Sequence, residues 1–563
     1  GITLTALQSP VTGTTATAVS YELTGLQPNT TYHYRIVGTS PAGITRGADA
    51  TFTTAIQTCI WDGTAWNPAT PTAKDNAVLD GDYNAAGFPC HNLTINPGKQ
   101  VTIATGTLTV TRHLDRKSGP SLIDNVTVAV AGTTTVEQYL SGATTANAPS
   151  GRFWYISSPL SAASSASFDP AGTNKLWQWN ETDQAYTGIT NNSTILAPFR
   201  GYVARLGAND TIKLSGGELN TGNKTMSLSR TGTATYAGFT LAGNPYPSYL
   251  DWESLQENSS DVYPTIWYRS SNKVGTMVFD TYNAVLHEGT SNNGTEVTRY
   301  ISPMQAFWVL TKESSGTMNA TNTMRSHQSG ISLKTGDEAT YQSLRLTVNN
   351  GQNSDETIIA ATPSASKDYD DYDSPKLFTT EECVPQIYTI ADKRKLVING
   401  MHNIDTGRVI PVYFSTKQAG SFSMKANVIR GFEGYSVLIK DMQLNKTQDL
   451  TVNATYSFTS EAVADEGRFV ITLKSKAETT LAGGQANSAV KVYTVTNTIV
   501  VEINGTVESG IVARVYDLLG QTKALVSIKG NRTLIPANLT AGTYFVQIQK
   551  TGEVTTHKLE ITE

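Results

Sequence analysis

The sequence predicts an all-β, multi-domain chain of β-sandwich and immunoglobulin-like units, and three observations support this. The chain has 563 residues, which is too many for a single hydrophobic core. Only 16% of the residues are charged, and Thr, Ser, Asn and Gly, which suit strands and the turns between them, take the place of charge. Apolar and polar residues alternate along most segments, which is the period of a half-buried strand.

The first segment, residues 1–54, contains three stretches of a known module. They are residues 26–35 (LQPNTTYHYR), residues 41–43 (PAG) and the closing residues 52–54 (FTT). Together they resemble the second half of a fibronectin type III module, so the resemblance implies a partial sandwich and a chain that begins inside a module. A short independent hairpin cap is the alternative.

Residues 55–130 are predicted to form a second β-rich unit. Strong alternation over residues 101–103 and 108–110, with a turn at residues 105–106, indicates a hairpin-like stretch. Similar segments open solenoid-like regions of bacterial surface proteins. This analogy predicts a solenoid-like unit, and it concerns the fold alone.

The cysteines indicate the redox state of the compartment in which the chain folds. Cys59 and Cys90 flank this unit, and Cys383 lies far away. The spacing predicts a Cys59–Cys90 disulfide formed in an oxidising compartment. Three buried free thiols are the alternative, and the spacing argues against a zinc site because His91 is the only imidazole nearby.

Residues 131–340 are predicted to form a β domain with a weak internal repeat. Each copy has an aromatic strand, a proline turn, a tryptophan strand and a Pro-x-x-small-aromatic stretch. The first copy contains residues 152–159 (RFWYISSP), 176–179 (LWQW) and 197–202 (APFRGY), and the second contains residues 238–247 (GFTLAGNPYP), 266–269 (IWYR) and 302–308 (SPMQAFW). We expect two related β units packed together, with chance similarity as the alternative.

The remaining pattern predicts three further segments. Alternation over residues 341–475 predicts a β-sandwich, and residues 476–490 lack periodicity and are predicted to be a linker. Residues 491–563 are predicted to form a small final domain. Helix signals are few, and the clearest is Asp251, which is expected to cap a short helix.

The final domain carries four separated motifs, at residues 515–521 (VYDLLGQ), 535–539 (IPANL), 541–548 (AGTYFVQI) and 557–559 (HKL). They resemble the type A C-terminal sorting domain of the type IX secretion system of Bacteroidota, which has a small immunoglobulin-like sandwich. The residues that match the motif are Val515, Tyr516, Gly520, Gln521, Gly542, Tyr544 and Phe545. Residues 492–497 (VYTVTN) stand, without proline, where the family has a Tyr-Pro-Asn-Pro-like turn.

This resemblance implies an extracellular location on the outer-membrane surface of a bacterium. It implies export through the type IX translocon, removal of the final domain by a sortase-like component, and attachment of the rest to lipopolysaccharide. Gly520 and Gly542 are expected at tight turns, where glycine tolerates positive φ.

A search for sequence motifs of catalysis, metal binding and phosphate binding finds no nucleophile elbow, zinc helix or phosphate loop in a suitable context. We therefore predict that the chain is not an enzyme and uses no cofactor, with calcium binding and an upstream catalytic domain left open as alternatives. No block of Lys and Arg indicates nucleic acid, and no apolar run is long enough for a transmembrane helix.

Three groups of residues are candidates for sites. Residues 367–374 (KDYDDYDS) offer Asp370, Asp371 and Asp373 as calcium ligands, with a solvated acidic loop as the alternative. Trp61, Trp66, Trp177 and Trp179 are candidates for stacking on sugars, with core packing as the alternative. Thr211, in an Asp-Thr-Ile sequence, resembles the motif that Bacteroidota O-glycosylate.

Two functions from different classes follow from these features. The first is a secreted, non-enzymatic cell-surface protein in adhesion or surface structure, with a surface glycan or a host or environmental ligand as its partner. The alternative is a glycan-binding ancillary region of a larger secreted carbohydrate-active enzyme. A third hypothesis treats the chain as cargo whose informative partner is the secretion machinery itself.

Overall fold

A computed structural model describes most of the chain. The described residues are 1–119, 121–125, 127–142, 152–168, 175–271, 276–292, 297–327, 341–405, 408–475, 490–495, 498–503, 507, 510–517, 520–536, 539–540, 542–550 and 553–561. The prediction of an all-β fold is confirmed, since strands dominate these residues and the only α-helix among them, α1, spans Trp252–Glu257. As expected, Asp251 caps it by accepting a hydrogen bond from Glu253 N at 3.1 Å.

The chain divides into two compact units. The first contains residues 1–432 and 437–472, and the second contains residues 433–436 and 473–563. Within the described residues, the structure contains no helix with the length and apolar character needed to cross a membrane.

The first segment of the chain forms two small antiparallel pairs. The strands are β1 (Thr31–Tyr34), β2 (Val37–Ser40), β3 (Gly43–Arg46) and β4 (Ala50–Thr53), with β1 against β4 and β2 against β3. Tyr32 stacks on Phe52 with ring centroids 5.7 Å apart. The Tyr32 hydroxyl accepts a hydrogen bond from Gln27 N at 2.8 Å, a contact of the tyrosine-corner type. The assignment to a fibronectin module stays a prediction.

A parallel β-solenoid follows. Its strands are β5 (Thr58–Trp61), β6 (Trp66–Asn67), β7 (Asn76–Leu79), β8 (Tyr83–Ala86), β9 (Pro89–Cys90), β10 (Leu93–Ile95), β11 (Gln100–Thr105), β12 (Leu108–Val110), β13 (Leu114–Arg116), β14 (Ser121–Asp124), β15 (Val128–Val130) and β16 (Thr134–Leu140). Each complete coil contributes one strand to each of three sheets. β5, β7, β10, β13 and β16 are the parallel strands of the first sheet, β8, β11 and β14 form the second, and β9, β12 and β15 form the third. The predicted hairpin at residues 101–110 is wrong, because β11 and β12 are successive sides of one coil.

Tight corners let the coils stack. Inward side chains such as Leu93, Val101 and Leu108 are fully buried, and they fill the solenoid interior. At one corner a Cβ on Gly87 would lie 2.3 Å from the backbone carbon of Thr107 and 2.5 Å from the backbone nitrogen of Leu108. The next coil therefore passes too close for any other residue type.

The two repeat copies form the next β domain. Its strands are β17 (Arg152–Ile156), β18 (Leu176–Asn180), β19 (Ala185–Gly188), β20 (Tyr202–Leu206), β21 (Asp210–Ser215), β22 (Lys224–Ser229), β23 (Phe239–Gly243), β24 (Tyr249–Asp251), β25 (Thr265–Ser271), β26 (Met277–Asn283), β27 (Glu288–Thr290), β28 (Tyr300–Ile301), β29 (Ala306–Leu310), β30 (Ser315–Ala320) and β31 (Arg325–Ser326). The first copy has the sheet order β17-β20-β18-β19, and the second has β23-β29-β25-β26-β27. In the first copy β17 lies beside β20, which is followed across the sheet by β18 and β19. In the second copy β23 lies beside β29, which is followed by β25 and β26, so the two sheets share this arrangement.

The copies are also linked reciprocally. Ile156, at the end of β17, bridges to Gln305 of the second copy, and Arg200 of the first copy bridges to Ala242 in β23. Arg200 and Gln305 occupy equivalent loop positions in the two copies. The residue before each has a similar backbone conformation, with φ of 68° at Phe199 and 60° at Met304. Each follows a proline, which favours a turn with positive φ at its next position. The end of the first strand in each copy therefore pairs with the other copy.

The domain that contains the two copies also contacts the solenoid, through His327. Its Nδ1 lies 2.9 Å from the Ser121 hydroxyl, and its Nε2 lies 2.7 Å from the Thr102 hydroxyl. Burial lowers the pKa of His327 from its ordinary value. The neutral ring, which keeps one nitrogen as an acceptor, suits this position between two hydroxyls.

Acidification is expected to destabilise this contact. A lowered histidine pKa means that the unfolded chain binds more protons below about pH 6.5, so stability is kept above that value and falls as pH decreases. Thermal melting of the wild type should therefore drop more than that of His327→Gln when pH falls from about 7 to about 5. Equal drops in the two proteins would contradict the assignment.

The predicted sandwich at residues 341–475 follows. Its strands are β32 (Gln342–Asn349), β33 (Ser354–Ala361), β34 (Ser374–Pro375), β35 (Gln386–Ala391), β36 (Arg394–Met401), β37 (Val409–Thr416), β38 (Gly420–Arg430), β39 (Tyr435–Asp441), β40 (Lys446–Asp449), β41 (Thr455–Ser460) and β42 (Val463–Ser475). They follow the path β40-β39-β42-β37-β35-β36-β33-β32-β38-β41, and β34 pairs with β36. The path folds over itself, since Phe458 of β41 lies 4.8 Å from Phe469 of β42 between ring centroids.

A buried ion pair lies in this sandwich. Arg468 and Asp441 have side chains that are 1% and 0% exposed, and the guanidinium donates to both carboxylate oxygens at 3.1 and 2.7 Å. Tyr456 also donates to Asp441 at 3.0 Å. These donors, with backbone hydrogen bonds, hold the pKa of Asp441 below its ordinary value despite its burial.

The second compact unit is a small sandwich. Its strands are β43 (Val490–Val495), β44 (Thr498–Ile503), β45 (Val512–Asp517), β46 (Thr522–Ser527), β47 (Arg532–Pro536), β48 (Gly542–Lys550) and β49 (Glu553–Ile561). They form the sheets β43-β44-β47 and β46-β45-β48-β49. Residues such as Val501, Val515 and Val546 are fully buried in its own core. The predicted linker lies outside the described residues, except for Val490, which begins β43.

Candidate functional site

The outward side of the first solenoid sheet forms an open depression of about 560 Å³. Side chains alternate between the two sides of a strand, so every second residue on these strands points outward. We call this surface the polar face. It is lined by Thr58, Asn76, Val78, Asn92, Thr94, His113, Asp115, Thr133 and Thr135.

Parallel register arranges these side chains in two rows that cross the strands. One row runs through Asn76, Asn92, His113 and Thr133, and the other runs through Val78, Thr94, Asp115 and Thr135. Neighbouring strands lie about 4.8 Å apart. The polar face therefore repeats polar groups at a regular spacing along the solenoid axis.

Hydrogen bonds along the first row fix its side chains. Asn92 Nδ2 donates to Asn76 Oδ1 at 2.8 Å, and Asn92 Oδ1 accepts from His113 N at 3.2 Å. The backbone nitrogen of Thr133 donates to His113 Nδ1 at 3.4 Å. The amide and the imidazole are thus held in place before any ligand arrives.

The polar face carries little charge. Among the described residues that line it, the only carboxylate is that of Asp115, and His113 is the only other titratable side chain. Beyond the second row, Glu137 is paired with Lys117 at 3.1 Å and with Lys213 at 3.3 Å. Together with Asp115, these groups amount to two carboxylates and two lysines, so the surface offers hydrogen-bonding groups rather than a strong field.

Sequence reasoning did not identify the polar face. Its residues are ordinary in sequence, and they come together only when strands about one coil apart are stacked. The usable signal was the recurrence of a polar residue just before a buried leucine, as at Asn92-Leu93 and His113-Leu114. A search for a coil-length period would have aligned these pairs.

A family model described as a domain of unknown function, DUF8693, matches residues 51–473, which is more than half of the 563 residues. The chain belongs to the DUF8693 family. The match covers the solenoid, both repeat copies and the sandwich, and it includes the whole polar face. The comparison with curated proteins finds no match.

The predicted disulfide in the DUF8693 region is wrong. Cys59, Cys90 and Cys383 are all free thiols. Cys59 lies on β5 in the first solenoid sheet, whereas Cys90 lies on β9 in the third sheet. Both are buried, and burial raises the pKa of the Cys90 thiol to about 12, so this thiol behaves as a small packing residue.

The carboxylates of the acidic run at residues 367–374 accept hydrogen bonds from backbone nitrogens in and near their own loop. Asp370 accepts from Ser366 N and Tyr372 N at 2.5 and 2.8 Å. Asp373 accepts from Asp370 N and Gly400 N at 3.0 and 2.9 Å, and Asp371 pairs with Lys312 at 3.0 Å. Burial raises the pKa of Asp373 to about 7. No group of three or more His, Cys, Asp or Glu in the described part of DUF8693 is placed to hold a metal ion.

The four candidate tryptophans pack within the domain. Trp61 and Trp66 lie 5.7 Å apart between ring centroids, against the solenoid core. Trp179 donates from its indole to Phe239 O at 2.7 Å and meets Trp308 edge to face, and Trp177 lies 5.9 Å from Phe153. These contacts favour the core-packing alternative over sugar stacking.

A second polar cluster of the DUF8693 region surrounds Glu253. Its carboxylate accepts from Tyr282 at 2.5 Å, lies 2.6 Å from His287 Nδ1 and pairs with Arg299. Burial is the largest cause that raises the pKa of Tyr282. Arg299 also pairs with Asp251, so this cluster ties α1 to the surrounding strands.

Two further candidates lie on strands. Thr211 is half-buried on β21, opposite Tyr139 of β16. The sorting-motif residues lie in the second compact unit, where Val515 and Tyr516 pair with Val546 and Phe545. Gly520 has the expected positive φ, at 77°, but Gly542 begins β48 instead of lying in a tight turn.

Two other motif residues form hydrogen bonds within the second compact unit. The backbone nitrogen of Gln521 donates to Asp517 Oδ1 at 2.9 Å, which closes the turn after β45. Tyr544 is buried, and its hydroxyl donates to Thr540 O at 2.9 Å.

Proposed function

We propose that this DUF8693 protein is a secreted bacterial surface protein that acts without catalysis in adhesion or surface structure. In this proposal the type IX secretion system exports it, and a sortase-like component recognises its final domain. The protein then lies on the outer-membrane surface, where its solenoid and sandwich meet a surface glycan or another environmental ligand.

The observation that carries the proposal is the separate final unit. Residues 433–436 and 473–563 form one compact unit, and the two sheets of this unit enclose a core of their own. A transport machine can recognise such a tail whatever precedes it. The motif residues Val515 and Tyr516 lie on its central strand β45, next to β48, which supports the resemblance to a sorting domain.

The preceding region supports the adhesive part. A solenoid buries a continuous core while it displays a long, regular outer surface, and such surfaces serve recognition. The buried Arg468–Asp441 ion pair and the Phe458–Phe469 contact described above stabilise the sandwich that follows it. A protein outside the cell benefits from such rigid β domains because its binding surfaces stay in place.

Deleting residues 491–563 is expected to abolish secretion in a Bacteroidota host with an active type IX system. The measurement compares the full chain and the truncated chain in culture medium, surface fractions and periplasm. The truncated chain should accumulate in the periplasm, as should the full chain in a strain without the translocon. A chain lacking residues 1–54 is the control and should reach the surface, and normal secretion of the truncated chain would refute the proposal.

The second candidate is a glycan-binding region within a larger secreted carbohydrate-active enzyme. The polar face favours it, because its hydrogen-bonding side chains would suit a sugar equally well in that setting. The export experiment does not separate the two candidates, but a catalytic domain encoded next to this region would favour the second.

A further inference from the structure

We propose that the polar face binds an extended, neutral polysaccharide that runs across strands β5 to β16. The inference deepens the proposed adhesive function by naming its site and its ligand class. Binding can be measured on purified protein, so its outcome is independent of the export experiment.

Hydrogen-bonding capacity is the first argument. The hydroxyls of Thr94 and Thr135 and the carboxylate of Asp115 form no hydrogen bond or ion pair with the described part of the chain. They stand in one row on neighbouring strands. Sugar hydroxyls both donate and accept, so one chain of sugars can satisfy hydroxyls and a carboxylate together.

Geometry is the second argument. Strands in this sheet repeat about every 4.8 Å, which is close to the advance of one ring along an extended β-linked glycan. A flat, open depression of about 560 Å³ admits a chain that enters and leaves at both ends. A small molecule would instead favour an enclosed pocket.

The third argument is that side chains of the polar face are ordered before a ligand binds. Asn92 bonds to the Asn76 side chain and to the His113 backbone nitrogen, and the His113 imidazole accepts from Thr133 N, so these side chains are held in the unbound protein. Immobilising a free side chain on binding costs affinity, so a fixed row lowers that cost. The parallel solenoid beneath the row adds a rigid support.

Charge decides the ligand class. Within the described part of the chain, Asp115 is the only carboxylate that lines the depression, and no Lys or Arg lines it. Beside the depression, Glu137 pairs with Lys117 and Lys213. An anionic polysaccharide in the depression would therefore meet a carboxylate and no lining cation. Tyr139, which is 51% exposed on β16, adds an aromatic ring on the same side of the sheet for packing against a sugar ring.

Binding should be tested by affinity electrophoresis and calorimetry on the purified full chain. The probes are soluble neutral β-glucan, xylan and mannan, with polygalacturonate as the anionic arm. We expect saturable binding to at least one neutral polysaccharide and none to polygalacturonate. Thr94→Val and His113→Ala should each weaken binding about tenfold, as expected for a lost ligand hydrogen bond.

Thr109→Val is the matched control. Thr109 is an exposed threonine on β12 of the third solenoid sheet, so the same substitution falls in the same solenoid but away from the polar face. Its affinity should equal that of the wild type. Failure of every neutral polysaccharide to bind, a preference for polygalacturonate, or equal weakening by Thr109→Val would each overturn the inference while leaving the export proposal intact.

Discussion

Replacing Arg468 with alanine is expected to lower the free energy of unfolding of the sandwich by about 3–5 kcal/mol. The substitution leaves Asp441 buried at 0% exposure without its guanidinium partner. Desolvation of an unpaired carboxylate is the dominant cost, because the low-dielectric interior cannot replace the lost solvation. Hydrogen exchange measured by mass spectrometry on peptides from β39 and β42 reports this domain specifically.

An exposed pair in the same sandwich supplies the control. Lys417 and Glu382 lie 3.6 Å apart with side chains 62% and 73% exposed. Lys417→Ala should change the opening free energy by about 0–1 kcal/mol, since water screens such pairs. Similar exchange rates in Arg468→Ala and Lys417→Ala would show that the buried pair contributes no more than a surface pair.

Replacing Gly87 with alanine is expected to destabilise the solenoid by about 3 kcal/mol, the upper end of the range for overpacking. The new Cβ would lie 2.3 Å from a backbone atom of Thr107. A backbone atom cannot rotate away as the end of a side chain can, so the adjacent coil must shift. Faster hydrogen exchange over residues 76–110 is the expected readout.

Gly207→Ala is the matched control for this prediction. Gly207 lies between β20 and β21, and a Cβ added there would meet none of the described atoms within 4 Å. The same substitution at this position should leave stability within about 0.5 kcal/mol of the wild type. If Gly87→Ala had an equally small effect on stability, the coils would be able to move apart at this corner without a loss of stability.

Alternation along the chain was enough to predict the all-β class, because period-two burial is a local property of a strand. The pairing of strands is not local. Residues 101–110 look like a hairpin in sequence, yet Val101 pairs with Tyr83 and Leu122, and Leu108 pairs with Val128. Only the stacking of whole coils decides between these arrangements.

The cysteine prediction failed for a related reason. Cys59 and Cys90 are close in sequence and both are buried, but Cys59 lies on the first sheet and Cys90 lies on the third sheet of the following coil. The polar face was missed because none of its residues has distinctive chemistry alone. Its significance arises from register, which brings Asn92 beside His113 and Thr94 beside Asp115.

The reciprocal bridges between the repeat copies have a consequence for the symmetry of their domain. Ile156 meets Gln305, and Arg200 meets Ala242, so each copy gives the other a strand end and receives a strand end in return. The subunits of a symmetric dimer contact each other in this way, through the same surface on both partners. The two copies therefore place an approximate twofold relation inside a single polypeptide.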